Sequence, residues 1–171
     1  MRRLIVLAAA TLLAVVGFAV PANAAAPSGG GWFRVPNPPF DVAAGVECAF
    51  PIHAVAIVDQ VYGKTLQSYP DGSPEQQAFV GPLVVRVTNT DNNRSYDANA
   101  SGSAIVHYGT DGSQTWDVVG PVLLNVKAGR SNLAQGIWIV NGIYQLVFPA
   151  TGPNSVHLVR GTELNVCNKI S

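Results

Sequence analysis

Charge is what this chain has least of. Ten Lys and Arg balance ten Asp and Glu, and charged residues make up 12% of its 171 positions. So sparse and balanced a set builds no basic field, which excludes nucleic acid and an anionic membrane surface as partners. Cysteine is scarce as well: Cys48 and Cys167 stand alone, with no C-x-x-C redox pair. There is no G-x-S-x-G elbow, H-E-x-x-H helix, phosphate loop, dinucleotide fingerprint or S-x-x-K. No window keeps a 3.6-residue apolar period for the length of a helix. What is present is hydrophobicity, 48% of residues, punctuated by 17 Gly and 12 Pro, and that content excludes a disordered chain.

The first residues read as an address. Met1-Arg2-Arg3 opens on positive charge, Leu4 to Val20 is mostly apolar, and Pro21 ends any helix there. Ala22-Asn23-Ala24 then offers the small-x-small pattern of a cleavage site, so residues 1–24 are expected to be a secretory signal peptide. A retained membrane anchor is the competing reading, since the run is just long enough to span a bilayer. Cleavage removes Arg2 and Arg3, leaving eight basic side chains against ten acidic ones. The expected localisation is secreted and extracellular, with no membrane contact after cleavage. In that compartment Cys48 and Cys167 are expected to form a disulfide, with two buried thiols as the alternative. Closing so long a loop is worth roughly 4–5 kcal/mol in the chain-entropy model.

Residues 25–44 form a Gly/Pro-rich N-terminal arm (Gly29-Gly30-Gly31, then Pro36, Pro38, Pro39), expected to lack regular structure. Residues 45–171 are expected to be a single β domain. Leu83, Val85 and Val87 alternate with Val84, Arg86 and Thr88, the period of a strand with one face inward. Turn clusters recur at Tyr69-Pro70-Asp71-Gly72, Asn89 to Asn93, Gly109 to Gly112, Asn141-Gly142 and Thr151-Gly152-Pro153. Asn141-Gly142, between two apolar arms, predicts a type I′ hairpin. Val80-Gly81-Pro82 and Val119-Gly120-Pro121 each predict a strand beginning at or just after the proline. The pattern gives about nine to eleven short strands near 50–61, 64–69, 81–89, 94–101, 103–108, 114–119, 121–127, 135–140, 143–148, 155–160 and 162–167. The fold class is all-β: an antiparallel β-sandwich or a closed β-barrel.

The segments Val87-Thr88-Asn89-Thr90-Asp91, Arg94-Ser95, Ala100-Ser101-Gly102, Asp111-Gly112-Ser113 and Val119-Gly120-Pro121 resemble a group of small secreted actinobacterial proteins. These have a signal peptide, two cysteines and an all-β domain. The resemblance implies export and a β fold, and carries no activity.

Chemistry is harder to place. His53, His107 and His157 lie far apart on predicted strands, and His107 and His157 read as water-facing, so no metal site is assigned. His53 and Asp59 share a face yet stand about 20 Å apart along an unbent strand, at ~3.3 Å per residue. Asp97 and Asp117 offer a carboxylate pair across neighbouring strands, and Asp91-Asn92-Asn93 with Asp97 an oxygen-rich tip suited to calcium; hairpin chemistry explains that tip equally well. Four aromatic residues are candidate ligand-binding positions: Trp32 and Phe33 in the arm, and Trp116 and Tyr108 in the domain. Core filling is the alternative for Trp116, and packing against the domain for the arm.

The expected function is a secreted, non-catalytic β domain that binds an extracellular or cell-envelope ligand, with cell-wall or extracellular polysaccharide as partner. No cofactor and no metal is expected. One alternative is a β-barrel that binds or isomerises a small apolar molecule, with Tyr62, Tyr69, Tyr108 or Tyr144 as its polar groups. Another is a secreted protease inhibitor with Tyr69 to Gln77 as its bait loop.

Overall fold

The computed structural model describes residues 31–171. The leader expected over residues 1–24 and the first part of the arm lie outside the described residues. The rest forms β1 (Phe33–Arg34), β2 (Phe40–Val42), β3 (Ile52–Asp59), β4 (Tyr62–Ser68), β5 (Pro74–Val80), β6 (Leu83–Asn89), β7 (Ser95–Asn99), β8 (Ser103–Tyr108), β9 (Gln114–Val126), β10 (Gly136–Phe148), β11 (Ser155–Asn165) and the short helix α1 (Cys167–Ile170). The fold is all-β, in two antiparallel sheets ordered β1-β4-β5-β8-β9-β10-β11 and β2-β3-β6-β7. Both sheets keep open edges, so the closed barrel is not formed among the described residues. No helix there is long and apolar enough to cross a membrane.

Six long runs, 52–68, 74–89, 95–108, 114–126, 136–148 and 155–165, follow one another as an up-and-down meander. Each is interrupted or bent near its middle, most often at glycine. In the first three runs the bend breaks the ladder, and the chain passes from one sheet to the other (β3 to β4, β5 to β6, β7 to β8). In the last three the ladder continues, and Gly142 stands opposite Gly120 on one side and Gly161 on the other. All three glycines have positive φ, at +93°, +143° and +146° for Gly120, Gly142 and Gly161. A Cβ on Gly142 would collide with the Arg160 carbonyl, and one on Gly161 with the Asn141 carbonyl. This glycine row lets adjacent strands bend together.

The row overturns two expectations. Asn141-Gly142 is not a hairpin but the middle of β10, because two long neighbours hold its backbone in register across Gly142. Pro121 does not start a strand; it lies within β9, where its carbonyl accepts the Gly102 N–H at 2.7 Å. Pro82 does precede β6 as expected. Three pairs of predicted short strands are therefore three long bent ones. The arm also contains structure: β1 pairs with β4 and β2 with β3, while Pro36, Pro38 and Pro39 occupy the bend between them. Prolines suit that place because an outermost run has few ladder bonds to lose.

The meander buries two apolar clusters. Ile52, Ala54, Val85, Val87 and Ala98 of the small sheet meet Ile137 of the large one, with α1 contributing Ile170. Val106, Val118, Val140, Tyr144 and Leu146 form the second cluster within the bent large sheet. There the Tyr144 hydroxyl donates to the Val140 carbonyl at 3.0 Å, four residues back on the same strand. In a straight strand those residues are about 13 Å apart at ~3.3 Å per residue, so the contact records how sharply β10 folds over. Cys48 and Cys167 form the disulfide, with Cα atoms 5.5 Å apart and a sequence separation of 119. It fastens the loop before β3 to α1.

Candidate functional site

Where the first three runs cross between sheets, the layers leave a cavity of about 580 Å³. Small side chains make the space: Ala54 and Ala56 on β3, Val85 on β6, Ala100 after β7 and Ala104 on β8. Tyr108 and Trp116 line it from the large sheet, and Val35 to Phe40 of the arm complete the lining as a strap. The lining holds no Asp, Glu, His, Lys or Arg, and its polar groups are two amides, Asn37 and Asn125, with the phenol and the indole. Such a lining favours a neutral, largely apolar molecule, and the volume is in the range of small-molecule pockets, roughly 300–1,000 Å³.

The phenol is fixed by a half-buried chain of hydrogen bonds. Tyr108 Oη donates to Gln77 Oε1 at 2.8 Å, and Gln77 Nε2 donates to Thr65 Oγ1 at 3.0 Å. Burial pushes the Tyr108 phenol above its ordinary pKa, so it stays protonated at neutral pH and keeps donating. Its oxygen lone pairs can still accept from a ligand. Trp116 Nε1 donates to Gln114 Oε1, and its ring lies 5.3 Å from that of Phe148.

The strap is fastened by Asp59. Asn37 donates to that carboxylate from both its backbone N–H and its side-chain amide, each at 3.0 Å, and Arg34 pairs with it at 3.3 Å. Burial by itself would raise the Asp59 carboxyl; the two Asn37 bonds and the Arg34 charge outweigh it and hold the group below its usual range.

Of the four aromatic candidates, the fold therefore gathers Tyr108 and Trp116 at one cavity. Phe33 packs over Gly63, at a position where a Cβ would meet its ring, and Trp32 stays 52% exposed beside the outer edge. Asp97 and Asp117 are not a pair: Arg86 grips Asp97 in the small sheet, at 2.7 and 2.8 Å, while Asp117 lies in the large one. The Asn-rich tip caps α1, with Asn89 and Asn92 donating to the Ile170 carbonyl. Tyr69 to Ser73 is a tight hairpin turn, and Pro74 to Gln77 already belongs to β5, so the expected bait loop is shorter than its sequence suggests.

Two features escaped the sequence reading. On the exposed face of the large sheet, Gln76, His107, Asp117 and Gln145 form a hydrogen-bonded row across four strands, His107 Nε2 lying 3.1 Å from Asp117 Oδ2. Their spacing carries no motif, because only strand register brings them together. Among the described residues no three His, Cys, Asp or Glu side chains gather as a metal site. The cavity itself was invisible too, since alanines on different strands signal nothing until they face one another. No family model matches the chain, nor does any curated protein or solved structure. Function has to be argued from this geometry.

Proposed function

We propose that this protein is exported by its leader, residues 1–24, and that its two sheets form an open β-sandwich holding a small, neutral, apolar molecule. The cavity of about 580 Å³ between the sheets is the observation that carries the reading. Tyr108 marks the polar end of the site, Trp116 supplies a flat apolar wall, and the strap over Val35 to Phe40 slows exchange with water. The disulfide fits an extracellular protein, where no reductant reaches it.

A second reading keeps one observation of its own. Trp32, half exposed just before β1, where Arg34 stacks 5.5 Å over the Tyr62 ring, offers an aromatic surface of the kind on which sugar rings of an envelope polysaccharide lie.

Mass measurement on protein recovered from the culture medium separates these readings. A denatured mass beginning at Ala25 and short by two hydrogens is expected. A native mass exceeding it by one small molecule supports the cavity reading and identifies the ligand. Equal native and denatured masses, together with Trp32-dependent depletion onto an insoluble cell-wall fraction, would replace it with the surface reading.

A further inference from the structure

A second cavity, of about 710 Å³, adjoins the first, sharing Leu123 and Asn125 of β9 with it, and its chemistry differs. Leu124, Leu146, Phe148 and Val156 give it an apolar wall, while Glu47, next to the disulfide, contributes a carboxylate. Glu47 is 5% exposed, and its Oε2 is buried without a hydrogen-bond partner among the described residues. The loop around it is tightly held: Gly45 N–H donates to the Cys48 carbonyl, Gln135 to the Gly45 carbonyl, and Cys48 is tied to Cys167. Glu47 is therefore carried on a backbone tied to the disulfide corner. An unsatisfied buried carboxylate is costly, and native proteins supply a donor wherever they keep one.

Lys127 and Arg130 also line this cavity, and both are exposed. Neither makes an ion pair with Glu47 among the described residues. With both signs lining one cavity, neither a ligand ammonium nor a ligand carboxylate finds its partner charge unopposed. What remains is a neutral donor on an apolar body. We propose that this cavity binds a neutral amphiphile, such as a long-chain alcohol, that donates an O–H or N–H to Glu47 and lays its apolar part on Leu146, Phe148 and Val156. The site adjoins the inter-sheet cavity, whose lining has no acceptor of this strength.

Backbone-amide NMR of the disulfide-bonded protein tests it, with 1-hexanol, 1-methoxypentane, hexylammonium and hexanoate as probes. Hexanol is expected to shift the amides of Val126, Phe148 and Val156 saturably. It should bind at least about tenfold more tightly than the ether, which matches its size without the O–H, and more tightly than either ion. Glu47→Leu should remove that preference, whereas Glu47→Gln, which keeps an acceptor oxygen, should retain most of it. Equal binding of alcohol and ether overturns the proposal whether or not the variants fold. So do tighter binding of hexanoate, and shifts confined to Ala54 and Ala104 of the other cavity. No response at either place overturns it as well, and leaves a bound water as the donor to Glu47.

Discussion

Glu47 and Ala104 each carry a consequence that a single substitution exposes. Burial raises the Glu47 carboxyl above its ordinary 4.5, with Lys127 opposing the shift in part. The folded state then binds a proton more tightly than the unfolded chain, so stability falls as pH rises from about 4.5 through the raised folded value. Glu47→Gln carries no such penalty. Its melting temperature relative to the wild type is expected to increase between pH 4 and pH 7, and a difference independent of pH would contradict the burial argument. Ala104 faces the inter-sheet cavity from β8. Adding three carbons to a filled core costs about 1–3 kcal/mol. Into an open cavity Ala104→Leu is expected to cost less than about 1 kcal/mol in urea denaturation and to abolish uptake of an apolar dye.

At the scale of elements, the strap and the glycine row are the devices to test. Asp59 holds the strap through a carboxyl whose folded pKa lies below the ordinary 3.8. The stabilisation this gives is complete above 3.8 and is lost as pH falls through the folded value. The Asn37 amide resonance should therefore move toward its unfolded position only below about pH 3.8, and Asp59→Ala should remove that transition and speed ligand exchange at neutral pH. In the glycine row, Gly142→Val places a branched Cβ at φ +143° against the Arg160 carbonyl. A loss of at least about 2 kcal/mol is expected, measured by urea midpoint, because both neighbouring strands must shift to accommodate it. Had Asn141-Gly142 been a hairpin tip, substitutions there would cost far less. The dipeptide looks like a turn because Gly142 does need positive φ; its neighbours, β9 of 13 residues and β11 of 11, turn that need into a bend rather than a reversal.

For the molecule as a whole, the disulfide decides how firmly the ends of the meander are joined. It closes a loop of 119 positions between Cys48 and Cys167. The double variant Cys48→Ser/Cys167→Ser is expected to lose roughly 4–5 kcal/mol in the chain-entropy model. The loss should appear first around Ile170 and Asn89, the contacts between α1 and the tip of β6. A variant as stable as the wild type would show that the apolar cluster around Ile137 holds this corner unaided.

The strands themselves were written in the sequence. Alternation of Leu83, Val85 and Val87 with polar neighbours is a local property of a half-buried ribbon, and β6 lies where it places it. The Pro- and Gln-rich β5 was missed because Pro74-Glu75-Gln76-Gln77 carries little apolar signal; its neighbours β4 and β8 supply the pairing that its side chains do not advertise. Composition and spacing determined an all-β chain with two cysteines. Tertiary structure decided what they enclose: Tyr108 and Trp116 share a cavity with alanines of β3 and of the run that carries Tyr108, and Glu47 meets an apolar wall from strands near the far end of the chain. Alternation records only whether a side chain faces inward. Which inward faces meet, and how much space they leave, depends on where six long runs bend, and that is settled only when the glycines come into register.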